Sequence, residues 1–398
     1  MDKDSKTVRA TAGGEHSLIL NKLGSIYSAG ACGVGWNRCK ELSEDLFGWR
    51  PVPISEKIVQ LKAGYYHNLA VAQSGSVYSW GCGTFVDGNN DGVIPALGSS
   101  KSDLGSFPEI LKGVDSVDSV DSGAYHSVLL TKSNKVLTFG SAQLGQLGRE
   151  TEGGELDASN LPIDSIPREV QGIPLEERVN SIGAGFYNTF AACKSGAIFC
   201  SGENQNQQCG DLSANIMKMT RIQELKEKLI LHATGGYCHS MVMTDDGEVL
   251  TLGCAGDGQR GDGREVDDLS RPIVTPIHLP MKQKALQMAA GANHSMILGE
   301  DGKVYAFGSN EFGQCGVGEG GADAILKPTL VNLPQSAGRV VSVSCGYAHT
   351  VVKDDSDHIY SFGQNTNGQL GQGKDHFKSP IDILLPTLID PSTFNPKP

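Results

Sequence analysis

A basic excess is the first thing this chain lacks. It has 33 Lys and Arg against 45 Asp and Glu, a formal net charge of −12 and a pI near 5.3. Nucleic-acid phosphates are held by clustered cations, so indiscriminate nucleic-acid binding is excluded, and a partner with a basic surface is favoured. No apolar run approaches membrane-spanning length, and the opening MDKDSKTVRAT has no apolar core of a signal or transit peptide. The expectation is therefore no membrane partner. Ten cysteines are scattered without a C-x-x-C pair, and are read as reduced thiols buried for packing, with no metal site. The phosphate loop G-x-x-x-x-G-K-S/T, the zinc motif H-E-x-x-H and the nucleophile elbow G-x-S-x-G are all missing. Covalent chemistry, a cofactor and a direct small-molecule substrate are accordingly not expected.

Glycine is abundant, at 51 residues, which implies many tight turns and short strands. Much of it belongs to a repeat. AGGEHSLILNKLGSIYSAG, ending at Gly30, returns with variation at Gly81, Gly140, Gly202, Gly253, Gly308 and Gly363. From the His (Asn188 in the fourth copy) to the closing Gly is 14 residues in all seven, while the distance between copies varies from 51 to 62. A rigid hairpin joined by variable loops gives this pattern. SMILGEDGKVYAFG illustrates it, with two β-rich runs around a D-G turn. Intervening segments such as RPVPISEKIVQLKAG read as two further strands. Four strands repeated seven times predict an all-β fold, a seven-bladed β-propeller over 1–398 as a single domain. The two ends look incomplete in complementary ways, which predicts closure by pairing N- and C-terminal strands in one blade.

The repeat histidines His16, His67, His126, His239, His294 and His349 are read as structural, bonding backbone and holding a loop. The two residues between each Gly and His are more informative. They are Gly14-Glu15, Tyr65-Tyr66, Ala124-Tyr125, Phe186-Tyr187, Tyr237-Cys238, Ala292-Asn293 and Tyr347-Ala348, and they contain six of the ten tyrosines. Equivalent positions lie on one face of the ring. Two readings stay open for the tyrosines: a partner interface, or packing between neighbouring blades.

The segment TFVDGNNDGVIP interrupts only the second copy. As a calcium loop from Asp87 it would have Asn89, Asp91 and Gly92 well placed, but Gly98 stands where a bidentate Glu is wanted. A polar hairpin is the plain alternative.

G-x-x-H-S/T, the hairpin and a following G-Q-L-G turn, as in FGSAQLGQLG and FGQNTNGQLG, resemble the repeat of the regulator of chromosome condensation family across nearly the whole chain. The resemblance implies a guanine-nucleotide exchange factor for the small GTPase Ran, acting in the nucleus, with chromatin as a further partner. It identifies the insertion, Asp87, Asn89, Asn90, Asp91, Gly92, Val93 and Ile94, with the β-wedge that the family presses on its GTPase. Arg149 resembles an arginine the family turns toward the GTPase, and His16 and His349 resemble repeat histidines near it. Tyr65, Tyr66, Tyr125, Tyr187, Tyr237 and Tyr347 complete the expected GTPase-facing set. Tyr65 and Tyr125 stand where the family has acidic residues, Cys238 where it has a histidine, and the family's basic N-terminal tail is not apparent in MDKDSKTVR. The alternative is a non-catalytic interaction propeller, a subunit or adaptor of a ciliary, cytoskeletal or ubiquitin-ligase assembly.

Overall fold

The computed structural model describes residues 7–31, 47–81, 107–114, 116–151, 156, 162–210, 214–264, 272–318, 322–373 and 382–389. These form seven antiparallel sheets of four strands, each built from strands consecutive in the chain. In the first blade the strands are Thr7–Ala12, His16–Asn21, Ile26–Gly30 and Arg50–Pro51. The last blade runs Val340–Cys345, His349–Asp354, Ile359–Gly363 and Ile383–Leu388. Short 3₁₀ turns occur at Gln223–Leu225 and Pro280–Lys282.

The predicted hairpin is present in every blade, and its register is constant. His16 pairs with Gly30, His67 with Gly81, and His349 with Gly363. Second strands such as HSLILN and HSVLLT are buried at every position. A strand covered on both faces has no reason to alternate, so it reads as a nearly continuous run of apolar and small residues. First strands line the central channel.

The expected closure is not what the structure has. Thr7–Ala12 pairs with its own neighbour His16–Asn21, and Ile383–Leu388 pairs with Ile359–Gly363. The N-terminal strand lies innermost in the first blade and the C-terminal strand outermost in the last, so they cannot share a sheet. The ring closes by face packing instead. Ala10, Ile19 and Trp49 share one apolar cluster with Val351, Ile359 and Ile389. Trp49 Nε1 donates to Gly371 O at 3.0 Å, and Ala12 N donates to Ser344 Oγ at 3.0 Å.

The repeat histidines stitch neighbouring blades together. His349 Nε2 donates to Ser17 Oγ at 3.0 Å, and Ser17 Oγ donates to Gln369 O at 2.7 Å. The same relay joins His126, Thr189 and Gln146, then His239, Ser295 and Gln259, then His294, Thr350 and Gln314. Because each hydroxyl proton goes to a loop carbonyl, the imidazole must carry its proton on Nε2. The structural reading of these residues is correct, but the partner is a side chain of the next blade rather than backbone. A Cβ on Gly13 or Gly346 would collide with the following histidine ring, which explains glycine there.

One seam departs from the rule. Asn188, in the fourth blade, donates to Glu203 O at 2.6 Å and contacts Cys209 Sγ at 3.4 Å, both in its own blade. Ser240, which occupies the receiving position in the fifth blade, is left with a buried hydroxyl that has no partner. Two cysteine pairs flank this seam, Cys200–Cys209 and Cys238–Cys254, each as a disulfide with Cα atoms 5.7 and 5.6 Å apart. They correct the expectation of reduced thiols for these four. Cys238 and Cys254 flank the His239–Gly253 pair at one end of a hairpin, and Cys209 sits in the turn that follows the strand Ile198–Gly202 carrying Cys200.

Candidate functional site: an aromatic cap over the central channel

The first strands enclose a cavity of about 490 Å³ with polar walls that include Arg9, Lys62, Asp121, His232, Gln287 and Ser344. Lys62 Nζ pairs with Asp121 Oδ1 at 3.1 Å, and His232 Nδ1 bonds Ser181 Oγ at 2.7 Å. At one end the strands finish in the Gly-x-x-His turns. There the main-chain N–H of Tyr65, Phe186 and Tyr347 donates to Gly123 O, Gly236 O and Gly13 O of the adjoining blade, at 3.2, 3.0 and 3.1 Å. These bonds fix the backbone and aim the side chains across the axis.

Three rings meet over the channel mouth. Tyr65 lies 5.5 Å from Phe186 and 5.3 Å from Tyr347, and Phe186 lies 6.0 Å from Tyr347, between ring centroids. A second tier forms a crescent: Tyr66 to Tyr125 at 5.5 Å, Tyr125 to Tyr187 at 5.9 Å, and Tyr187 to Tyr237 at 5.7 Å. Edge-to-face contacts dominate, the arrangement aromatic quadrupoles favour. The rings pack across blade boundaries, yet Tyr237 and Tyr347 remain 47% and 38% exposed and the others half-buried. Burial pushes the phenols of Tyr65 and Tyr187 up to about 12, and those of Tyr66 and Tyr125 higher still. All four are neutral hydroxyls at physiological pH.

Two carboxylates border this surface. Glu15 is close enough for its charge to act on Tyr65 and Tyr66, and Glu203 on Tyr187. Partial burial raises both carboxyls above the usual range. Phe186, Glu15 and Glu203 were not among the expected site residues. Phe186 and Glu15 sit in the same two-residue slots as the tyrosines. Glu203 follows the closing glycine, and its N–H bonds Tyr187 O at 3.0 Å. Counting one residue past each closing glycine would have found it.

Three expected residues are not on this surface. The Arg149 guanidinium is buried, donating to Asp164 Oδ2 at 2.8 Å and Thr138 O at 3.0 Å. The turn before it directs the side chain inward to an acid 15 positions later. His16 and His349 are fully buried in blade seams, where desolvation lowers their pKa to about 4 and about 3. The insertion residues Asp87, Asn89, Asn90, Asp91, Gly92, Val93 and Ile94 lie outside the described residues. Gly81 pairs with His67, at the strand end carrying the cap, and the chain is described again from Phe107, with Glu109 paired to Ser79.

Among the described residues no cluster of His, Cys, Asp or Glu is arranged to hold a metal ion, and no helix is long and apolar enough to cross a membrane.

The RCC1-like domain family matches residues 1–352, and the regulator of chromosome condensation repeat matches 340–369 and 356–397. The regulator of chromosome condensation of Mus musculus is 31% identical, over 88% of this chain and 83% of its own. The ultraviolet-B receptor UVR8 of Arabidopsis thaliana is 29% identical, over 97% of this chain and 82% of its own. In fold, the chain superposes on Prp20p of Saccharomyces cerevisiae with a TM-score of 0.75 and 21% identity, covering 94% of this chain and 87% of that one. The sheet count, the repeat register and these likenesses agree, and the chain belongs to the RCC1-like family.

Proposed function

We propose that the protein is a guanine-nucleotide exchange factor for a Ran-like small GTPase, acting in the nucleus. The observation that carries this reading is the meeting of two features at one end of the ring. The aromatic cap is there, and the described strands that precede and follow the segment containing the insertion, ending at Gly81 and resuming at Glu109, open toward the same end. The kinship with the regulator of chromosome condensation, and with Prp20p, whose crystal structure is described together with its binding to Gsp1p and histones, supports the choice of GTPase.

Exchange requires no bond to form or break in the factor. It requires tighter binding to the nucleotide-free GTPase than to the loaded one. The cap supplies docking area, rich in the aromatic residues that dominate interface energetics. The insertion then displaces the segments that hold phosphate and Mg²⁺, and Asp87 or Asp91 offers a carboxylate to the phosphate-loop lysine so uncovered. The net charge of −12 steers the encounter with a basic surface.

Release of the fluorescent nucleotide mant-GDP from Ran tests the reading. The purified protein accelerates release, and a variant lacking residues 87–93 but retaining the β fold does not. Equal rates with and without those residues would remove the wedge, and no acceleration at all would leave only a docking platform.

A further inference from the structure

We propose that the aromatic cap is a receptor for a single basic side chain, lysine or arginine, presented by a protein partner, with its cation on the ring faces between Glu15 and Glu203. The proposal rests on the exchange-factor reading for the identity of the partner, and on the cap alone for its chemistry.

The crescent Tyr66, Tyr125, Tyr187 and Tyr237, with Tyr65 and Phe186 inside it, offers several π faces within one side chain's reach. A cation over such faces is attracted by their quadrupoles, most strongly where water is partly excluded. Neutral phenols preserve that attraction, and hydrogen bonds among Tyr65, Tyr66, Tyr125 and Tyr187 hold the rings in place. The carboxylates stand at two places along this surface, Glu15 beside Tyr65 and Tyr66, and Glu203 beside Tyr187. Neither has an ion-pair partner among the described residues. Half-buried acids without a counter-ion are costly, and their charged forms are already disfavoured by burial. An incoming cation relieves that cost, so the surface is electrostatically incomplete without one. A second copy of this chain is a poor occupant, because each copy carries a formal net charge of −12. A basic partner is the complementary one.

The test uses the full chain with ¹³C-labelled tyrosine rings, titrated with N-acetyl-lysine methylamide, N-acetyl-arginine methylamide and the neutral N-acetyl-norleucine methylamide. The basic probes should shift crescent tyrosine resonances saturably, and norleucine should not. Glu15→Gln with Glu203→Gln, which keeps shape and removes charge, should weaken the basic probes about tenfold. The ε-acetylated lysine probe repeats the charge removal without altering the protein, and should bind as poorly as norleucine. Shifts of equal size from the neutral probes, or unchanged affinity in the double variant, would overturn the receptor. The same samples are assayed for mant-GDP release from Ran. Cation binding without any release sinks the exchange reading while leaving the receptor. Release that survives the double variant, together with absent cation binding, sinks the receptor while leaving exchange.

Discussion

Acid should unfold this ring at a mildly low pH, and the size of the effect follows from its seams. Six histidines are fully buried as neutral imidazoles, with desolvation lowering their pKa to about 4 for His16 and His126 and about 3 for His67, His239, His294 and His349. Unfolding returns each to water, where its pKa is about 6.5. The unfolded chain therefore binds more protons, and stability falls as pH drops through 6.5 toward the folded values. Between pH 7.5 and 5.5 each site costs about 1.4 kcal/mol, and the six together about 8 kcal/mol. That approaches the whole of an ordinary folding free energy, about 5 to 15 kcal/mol. His232, also buried with a lowered pKa, adds to the loss. Glu15 and Glu203 oppose it, since their raised carboxyls bind protons more readily folded than unfolded. They are two groups against six. Urea unfolding followed by circular dichroism at pH 7.5, 6.5 and 5.5 measures the slope. His294→Gln, which can still donate to Thr350, should remove about one sixth of it. A stability that changes by less than about 2 kcal/mol over this range would refute the buried-neutral account.

The irregular seam allows a matched pair of substitutions. Ser295→Ala breaks a relay and should cost about 1–3 kcal/mol, whereas Ser240→Ala removes an unpartnered hydroxyl and should cost nothing or stabilise, as read by thermal unfolding. Equal losses would contradict the seam difference. Arg149→Ala leaves the buried Asp164 with Arg168 as its remaining cation and should cost about 1.5–3 kcal/mol, while mant-GDP release per folded molecule stays unchanged. A selective loss of release would return Arg149 to the docking surface. Peptide mapping without reductant should recover Cys238 linked to Cys254 and Cys200 linked to Cys209, and separate peptides would restore the reduced state first expected.

The blade plan was legible because 14 residues from His to Gly describe one rigid hairpin, and rigidity survives in sequence as constant spacing. The closure was not, because inner and outer strands are told apart by what they pack against. TVRATA faces the channel and ILLPTL the rim, and neither fact is local to the segment. Arg149 was expected to face a partner by resemblance alone, and Asp164, brought beside it by the next strand, holds it inward. The Asn188 exception was visible, but its consequence falls on Ser240, 52 residues away in another blade. For the tyrosines, the choice between interface and packing was too narrow. A ring mouth lets side chains pack across blades and still keep one face in water.

The most direct test of the exchange reading is a comparison of two dissociation constants, for Ran stripped of nucleotide and for Ran loaded with GDP and Mg²⁺. Exchange by displacement predicts binding to the stripped form about ten-thousandfold tighter, the order a ligand needs to shift a two-state equilibrium decisively. Equal affinity for the two forms, or affinity for neither, would contradict it.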